Sequence, residues 1–193
     1  MIFGYLIQIK QIIVSKIVYL FYRDLSLGKK VKFKNFPSVL KHKSAIIEIK
    51  NQVTINSSNY GYHLNMHSQC KLYADRPNAK ISIGSNTRIH GTCIHAYKSI
   101  VIGDNCLIAA NTQILDGNGH LLSFNNPESR IFTIDSGKEI IIKNNVWIAA
   151  NCIILGGTTI GEGAVITAGS VVKGNVPSNS IYGGNPATIL KKF

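Results

Sequence analysis

A period of six constrains this chain more than any other feature. Read from Ile142, the aliphatic residues are Ile142, Ile148, Ile154, Ile160, Ile166 and Val172, each six after the last. The same step joins Ile102, Ile108 and Ile114, then Ile83 and Ile89, Ile49 and Ile55, and Met66 and Leu72. Six fits neither the 3.6-residue period of a helix nor the two-residue period of a hairpin strand. It fits short strands joined by turns that wind into the coils of a parallel β-helix. A second register supports this. Four residues after each aliphatic stands a mostly small side chain: Thr87, Cys93, Cys106, Thr112, Cys152, Thr158, Ala164 and Ser170, with Val53, Val146 and Val176 in the same set. One bulky and one small inward position per hexad suits a narrow three-sided prism. Its coils would stack at about 4.8 Å, so like residues form ladders.

The register gives other residues a role. Cys70, Cys93, Cys106 and Cys152 all fall on the small inward position, so they read as buried hydrophobes rather than ligands or nucleophiles. No C-x-x-C pair points to zinc, and the chain is too long for a disulfide scaffold, which suggests a reducing cytoplasm. Gly84, Gly103 and Gly161 directly follow an aliphatic and are expected to relieve the backbone at tight corners. Asn86, Asn105, Asn111, Asn145 and Asn151 lie in the gaps and suit left-handed turn conformations. The rhythm breaks in three places. Ile89 to Ile102 is thirteen steps, which predicts a bulge near His95. Residues 56–82 are irregular around Pro77. Ile114 to Ile142 is twenty-eight steps, and the polar, Gly- and Asn-rich stretch 117–140 lies between them. A long excursion from a compact solenoid is usually functional.

The remaining sequence bounds the partners. Apolar residues make up 45% and charged residues 16%, which suits an ordered core within one domain. The expected organisation is a helical, basic segment over 1–40, a β-helix over 41–187 with an excursion at 117–140, and a tail at 188–193. The formal charge of +12 favours an anionic partner: nucleic acid, a phosphate-bearing cofactor or an acidic membrane surface. No helix-turn-helix, RNA-binding or zinc-finger signature is present, which argues against nucleic acid. Residues 1–22 are apolar, but Lys10 and Lys16 interrupt them, so a membrane span is not expected. No A-x-A-like cleavage site follows, which argues against a signal peptide. Gly4, Gln8, Gln11 and Ser15 recur at helical spacing and predict an amphipathic helix with a narrow polar stripe. Such a helix would pack on its own domain or a neighbouring subunit. Alternatively it would lie on a membrane surface, with Arg23, Lys29, Lys30, Lys32 and Lys34 helping.

Six histidines are available: His42, His63, His67, His90, His95 and His120. His120 stands where the second regular block gives way to the long excursion, after Asp116-Gly117-Asn118-Gly119. The glycines let the backbone carry the side chain off the prism wall. Histidine titrates near neutrality as a residue type, so a histidine placed there suits general-base work, although a plain loop residue fits the position equally well.

Three segments resemble the hexapeptide-repeat acetyltransferases, which include galactoside, maltose, serine and glycan O-acetyltransferases. They are Ile102-Gly-Asp-Asn-Cys-Leu-Ile108, Asn145-Val-Trp through Ile160-Gly161, and the tail from Ala168-Gly-Ser-Val-Val172 to Gly184-Asn-Pro-Ala187. The resemblance covers residues 80–193. It implies a left-handed parallel β-helix, acetyl-CoA as co-substrate, no metal, and a homotrimer with each cofactor groove between two prisms. His120 matches the catalytic histidine that takes the proton from a sugar hydroxyl as its oxygen attacks the thioester. Asp116 matches a position that would orient His120 or simply form the turn. A main-chain N–H near Ala149 or Ala150 would hold the oxyanion. Trp147 matches an aromatic at the groove mouth, Ala150 and Ala168 match places where the pantetheine arm passes, and Lys173 and Lys191 would meet the coenzyme phosphates. Lys173 directly follows the Val-Val pair, where the family often has Thr-Lys. The segment Ile89-His-Gly-Thr-Cys93 lacks the Asn that some sugar-acetylating members carry near the acceptor.

These features imply an O-acetyltransferase acting on a sugar, with a cell-surface polysaccharide such as capsule or O-antigen, or its precursor, as acceptor. The setting would be cytoplasmic, at the inner face of the membrane if the N-terminal helix docks there. Three alternatives stand beside it. One is an N-acetyltransferase acting on an amino-sugar nucleotide. Another is a γ-type carbonic anhydrase with zinc on His90, His95 and His120, although its usual histidine order is the reverse. The third is a non-catalytic solenoid that serves as a binding module.

Overall fold

The computed structural model describes residues 2–193. Helix α1 (Ile2–Phe21) leads into a three-sided parallel β-helix. Sheet A contains β1 (Ser26–Leu27), β4 (Ile46–Ile49), β7 (Lys80–Ile83), β10 (Ser99–Ile102), β13 (Ile140–Ile142), β16 (Thr159–Ile160) and β19 (Asn175–Val176). Sheet B contains β2 (Lys32–Lys34), β5 (Thr54–Asn56), β8 (Arg88–His90), β11 (Leu107–Ile108), β14 (Trp147–Ile148), β17 (Val165–Ile166) and β20 (Ser180–Gly184). Sheet C contains β3 (Ser38–Lys41), β6 (Lys71–Ala74), β9 (Cys93–His95), β12 (Gln113–Leu115), β15 (Ile153–Leu155) and β18 (Val171–Val172). The chain visits A, B and C in turn, and every pairing among these strands is parallel. The solenoid begins earlier than residue 41, because residues 26–41 provide its first coil. The tail is also structured: β21 (Ala187–Lys192) turns back and pairs antiparallel with β20.

The six-residue rhythm becomes ladders in the core. Ile83, Ile102, Ile142 and Ile160 are in register on sheet A, Ile89, Ile108, Ile148 and Ile166 on sheet B, and Ile94, Ile114, Ile154 and Val172 on sheet C. All are buried. At about 2 kcal/mol per fully buried Ile side chain, these stacks dominate the stabilisation. Thr87, Thr112, Thr158, Ala164 and Ser170 are buried beside them, as the small register requires.

Two details differ from the sequence reading. Only Gly91 and Thr92 separate β8 from β9, so Thr92 takes the inward place and Cys93 turns outward, half-buried between Lys71 and Gln113. The thirteen-step gap is therefore a short corner before β9 followed by a longer one after it. The other three cysteines are buried, and all four are free thiols. Gly84, Gly103 and Gly161 are not needed for a positive φ. A Cβ on any of them would lie within 2.5 Å of an atom of the next coil. The inferred asparagines do adopt left-handed conformations: Asn86, Asn105, Asn111, Asn145 and Asn151 have φ of 58–62°.

The helix packs on its own domain, one of the placements the sequence allowed. Val14 and Val18 are buried on it, and Gln11 and Ser15 sit half-buried beside them. Ser15 Oγ accepts from the Phe33 amide at 3.0 Å, so the polar stripe faces the prism. Gly4 and Gln8, assigned to the same stripe, lie outside the residues whose side chains are described. The outward face carries Leu6, Ile9, Ile12, Ile13, Leu20 and Phe21. No helix among the described residues is long and apolar enough to cross a membrane.

Candidate active site

Two of the three corners of the prism are interrupted, and each interruption brings candidate functional groups together. At the corner from sheet B to sheet C, residues 57–70 leave the wall and fold back over it. Met66 lies against Gly91, and the His67 amide donates to Asn111 Oδ1 at 2.9 Å. This segment closes one side of a cavity of about 650 Å³. Trp147, Ala149, Ala150 and Ala168 line it, as does Ala109, with Lys34, Arg88 and His90 at its other end. Trp147 is half exposed and stacks between Leu107 and Val165 on the outer face of sheet B. Among the described residues, no carboxylate lines the cavity.

The protonation of His90 follows from its partners. Asn56 Oδ1 accepts from the Ser58 amide at 3.0 Å, so Asn56 Nδ2 must donate to His90 Nδ1, also at 3.0 Å. The ring proton of His90 is therefore on Nε2. Burial, and then the positive charges of Arg88 and Lys34, lower its pKa to about 4, so the ring is neutral at pH 7. Tyr62 stacks on it with a centroid separation of 4.3 Å.

The corner from sheet C to sheet A carries the long excursion between β12 and β13, which includes a 3₁₀ turn, η1 (Pro127–Phe132). His120 is exposed there, and its Nδ1 lies 3.1 Å from the Thr133 carbonyl oxygen. A carbonyl can only accept, so Nδ1 donates to it, and in the neutral form of the ring Nε2 carries the lone pair. Thr133 also accepts the Leu121 amide on Oγ1. Asp135 fixes the neck of the excursion: its carboxylate accepts the Asn118 amide at 2.7 Å and the Gly137 amide at 3.0 Å. These bonds hold its pKa below the usual carboxylate value, the Asn118 amide contributing most.

Asp116 does not orient His120. It is buried, and its carboxylate accepts the amides of Tyr97, Lys98 and Ser99 at 2.6–2.8 Å. It anchors the base of the excursion, and the Thr133 carbonyl holds the imidazole instead. Sequence reasoning missed Thr133 and Asp135; an Asp two residues before a Gly was the available Asx-turn signal. Of the two oxyanion candidates, Ala149 N–H already donates to Ile166 at 3.0 Å. Lys173 is exposed at the C-to-A corner, and Lys191 is exposed on β21 with its ammonium 4.5 Å from the Phe193 ring. Neither lysine lines the cavity. The histidines needed for a zinc triad are dispersed: His90 leaves sheet B under Tyr62, His95 leaves sheet C toward Asp75, and His120 stands on the excursion.

With this geometry in place, comparison with known proteins gives its context. Residues 139–174 match the bacterial transferase hexapeptide (six repeats), and residues 80–115 match the hexapeptide repeat of succinyl-transferase. The chain is therefore similar, over its repeat region, to members of the hexapeptide-repeat acetyltransferase family. Among relatives in the family, the Escherichia coli (strain K12) protein named "Putative lipopolysaccharide biosynthesis O-acetyl transferase WbbJ" is 36% identical over 52% of this chain and 54% of its own length. The galactoside O-acetyltransferase of the same organism is 35% identical over 60% of this chain and 55% of its own. The chain thus spans about half the length of these curated relatives. A hexapeptide-repeat acetyltransferase of Vibrio cholerae O1 biovar eltor, solved with acetyl-CoA, superimposes with a TM-score of 0.59 at 25% identity. That match covers 92% of this chain and 76% of the other. A maltose O-acetyltransferase from Clostridium difficile 630 gives 0.54 at 28% identity, over 87% and 69%.

Proposed function

We propose that this chain transfers an acetyl group from acetyl-CoA to a sugar hydroxyl, with His120 as general base. The observation that carries this reading is the tautomer of His120. Its Nδ1 proton is held by the Thr133 carbonyl, which leaves Nε2 free to take a hydroxyl proton. The oxygen then attacks the thioester carbonyl, the tetrahedral oxyanion collapses, and CoA leaves as the thiol after taking the proton from the imidazolium. Ala150 N–H is the oxyanion donor of this scheme, and the alanine-lined groove beside Trp147 is where the pantetheine arm would run. Lys173 and Lys191 are the point charges for the phosphates.

His120 and the groove stand on different corners of one prism, so the site is completed between two copies. The excursion supports this with a row of exposed apolar side chains, Leu122, Phe124, Ile131, Phe132 and Ile134, of which Phe132 is 83% exposed. A second copy, in a closed trimer, is the occupant that would cover them. A surface polysaccharide or its precursor is the acceptor class, consistent with the name of the WbbJ relative and with the outward face of α1. That face is apolar and carries Lys10 and Lys16 but no acid, which suits the surface of an anionic membrane. Replacing Ile13 and Leu20 with Glu should abolish co-sedimentation with anionic vesicles.

The decisive experiment follows free CoA release from acetyl-CoA with a panel of glycans. His120→Ala should lower turnover at least about a hundredfold while acetyl-CoA binding persists. Near-normal turnover in that variant removes His120 from the mechanism.

A further inference from the structure

Beneath the excursion lies a cluster that the proposed chemistry does not use. His95 Nε2 is 3.0 Å from Asp75 Oδ1, and both side chains are partly exposed. Next to them, the Arg76 guanidinium lies 4.6 Å from the centre of the Tyr97 ring. Tyr97 also meets the His95 ring edge-on at 5.0 Å. The tyrosine sits under both ends of the excursion. A Cβ on Gly117 would lie 2.4 Å from its ring, and one on Gly137 would lie 3.0 Å from its Cβ. The Tyr97 amide donates to Asp116. Arg76 is therefore held by a fixed platform at the root of the segment that carries His120.

Among the described residues Arg76 has no counter-ion. The carboxylate nearest in sequence, Asp75, is engaged by His95, and among the described residues Arg76 makes no ion pair. Its Nε is buried without a hydrogen-bond partner. An orphaned donor is costly and marks a guanidinium fixed in place. The shielded Nε cannot itself reach a ligand, so an anion would meet the planar pair of terminal nitrogens, which suits a carboxylate or phosphate. The overall charge of +12 favours the approach of anions to the protein as a whole.

We propose that Arg76, stacked on Tyr97 beside the Asp75–His95 pair, binds the acidic group of an anionic sugar and so selects an acidic saccharide as the acetyl acceptor. The inference rests on the acetyl transfer proposed above. A uronic acid and a sugar phosphate carry the shared chemistry, and the experiment separates them.

The test uses galacturonic acid, galactose 6-phosphate and galactose, with binding measured by calorimetry and acetyl transfer measured as free CoA. At least one acid should exceed galactose by about tenfold or more in kcat/KM, and whichever leads names the anion. Arg76→Gln should bring the ratio to about one, and Arg76→Lys should keep part of it. The acetyl-CoA dissociation constant should stay within about twofold, and thermal unfolding should show both variants folded. Equal use of galactose by the unaltered protein overturns the inference, and so does a preference that survives Arg76→Gln. A weakened acetyl-CoA affinity in Arg76→Gln also overturns it, because Arg76 would then serve the coenzyme. If no acceptor is acetylated, calorimetry decides. Acid binding that Arg76→Gln abolishes supports the subsite, and no acid binding overturns it. Loss of acetyl-CoA binding in the unaltered protein would instead refute the acetyl-transfer reading.

Discussion

The corner from sheet A to sheet B and the two interrupted corners are built from the same repeat for different ends. At the A-to-B corner the third residue of each turn is left-handed: Lys30, Gln52, Asn86, Asn105, Asn145, Gly163 and Asn179, with φ between 49° and 69°. Its amide donates to a carbonyl of the preceding coil, as Asn105 does to Ser85 and Asn145 to Asp104, both at 2.9 Å. The other two corners vary in length, and each releases one excursion, 57–70 or 116–139. One closes the groove and the other carries His120. The contrast teaches that the repeat supplies rigidity, whereas the groups proposed to react stand where the repeat is broken.

Substitutions can break or sharpen that contrast. The largest loss of stability is expected inside the ladders. Ile154→Ala, between Ile114 and Val172, should cost about 2–5 kcal/mol in chemical denaturation. Gly103→Ala places a Cβ 2.5 Å from Asn144 Oδ1 and 2.7 Å from backbone, and should cost about 1–3 kcal/mol. At the regular corner, Asn105→Ala should cost about 1–2 kcal/mol, while Asn105→Gly should be close to neutral. Asp135→Ala sharpens the contrast from the other side. It should change stability by less than about 1 kcal/mol yet reduce turnover about tenfold, with acetyl-CoA affinity retained, because it loosens the neck that positions His120.

The smallest effect concerns pH. His90 is held at about 4, below the ordinary imidazole value of 6.5, so the unfolded chain binds more protons between those values. Its contribution to stability is present above about pH 6.5 and lost as the pH falls toward 4. His90→Gln should flatten that slope in melting curves across this range.

Most of the framework was legible because it is periodic. The position of Ile142 predicts that of Val172, and the left-handed asparagines follow from the same count. What was hidden depends on contacts between distant residues. The shortened corner at Gly91-Thr92 moves Cys93 outward, although its spacing from Ile89 is regular. Gly103 is required because Asn144 crosses over it, forty-one residues later in the chain. The polar stripe of α1 faces inward because Ser15 meets the Phe33 amide, and hydrophobicity alone would have turned it outward. In the proposed site, the candidacy of His120 rests on its place at a break in the rhythm, and its Thr133 partner was not visible there. The true partner of Asp116 was also not legible, because three consecutive amides across the corner become visible only once the coils stack.

Complementation tests the central claim most directly. His120→Ala lacks the base, and Ala168→Trp obstructs the groove, so each variant alone should be inactive. Co-expressed and purified as mixed oligomers, the two should recover about a quarter of the unaltered activity, because an intact His120 from one copy meets an intact groove from another at that frequency under random mixing. No recovery in mixed oligomers shown to contain both variants would contradict a site shared between copies.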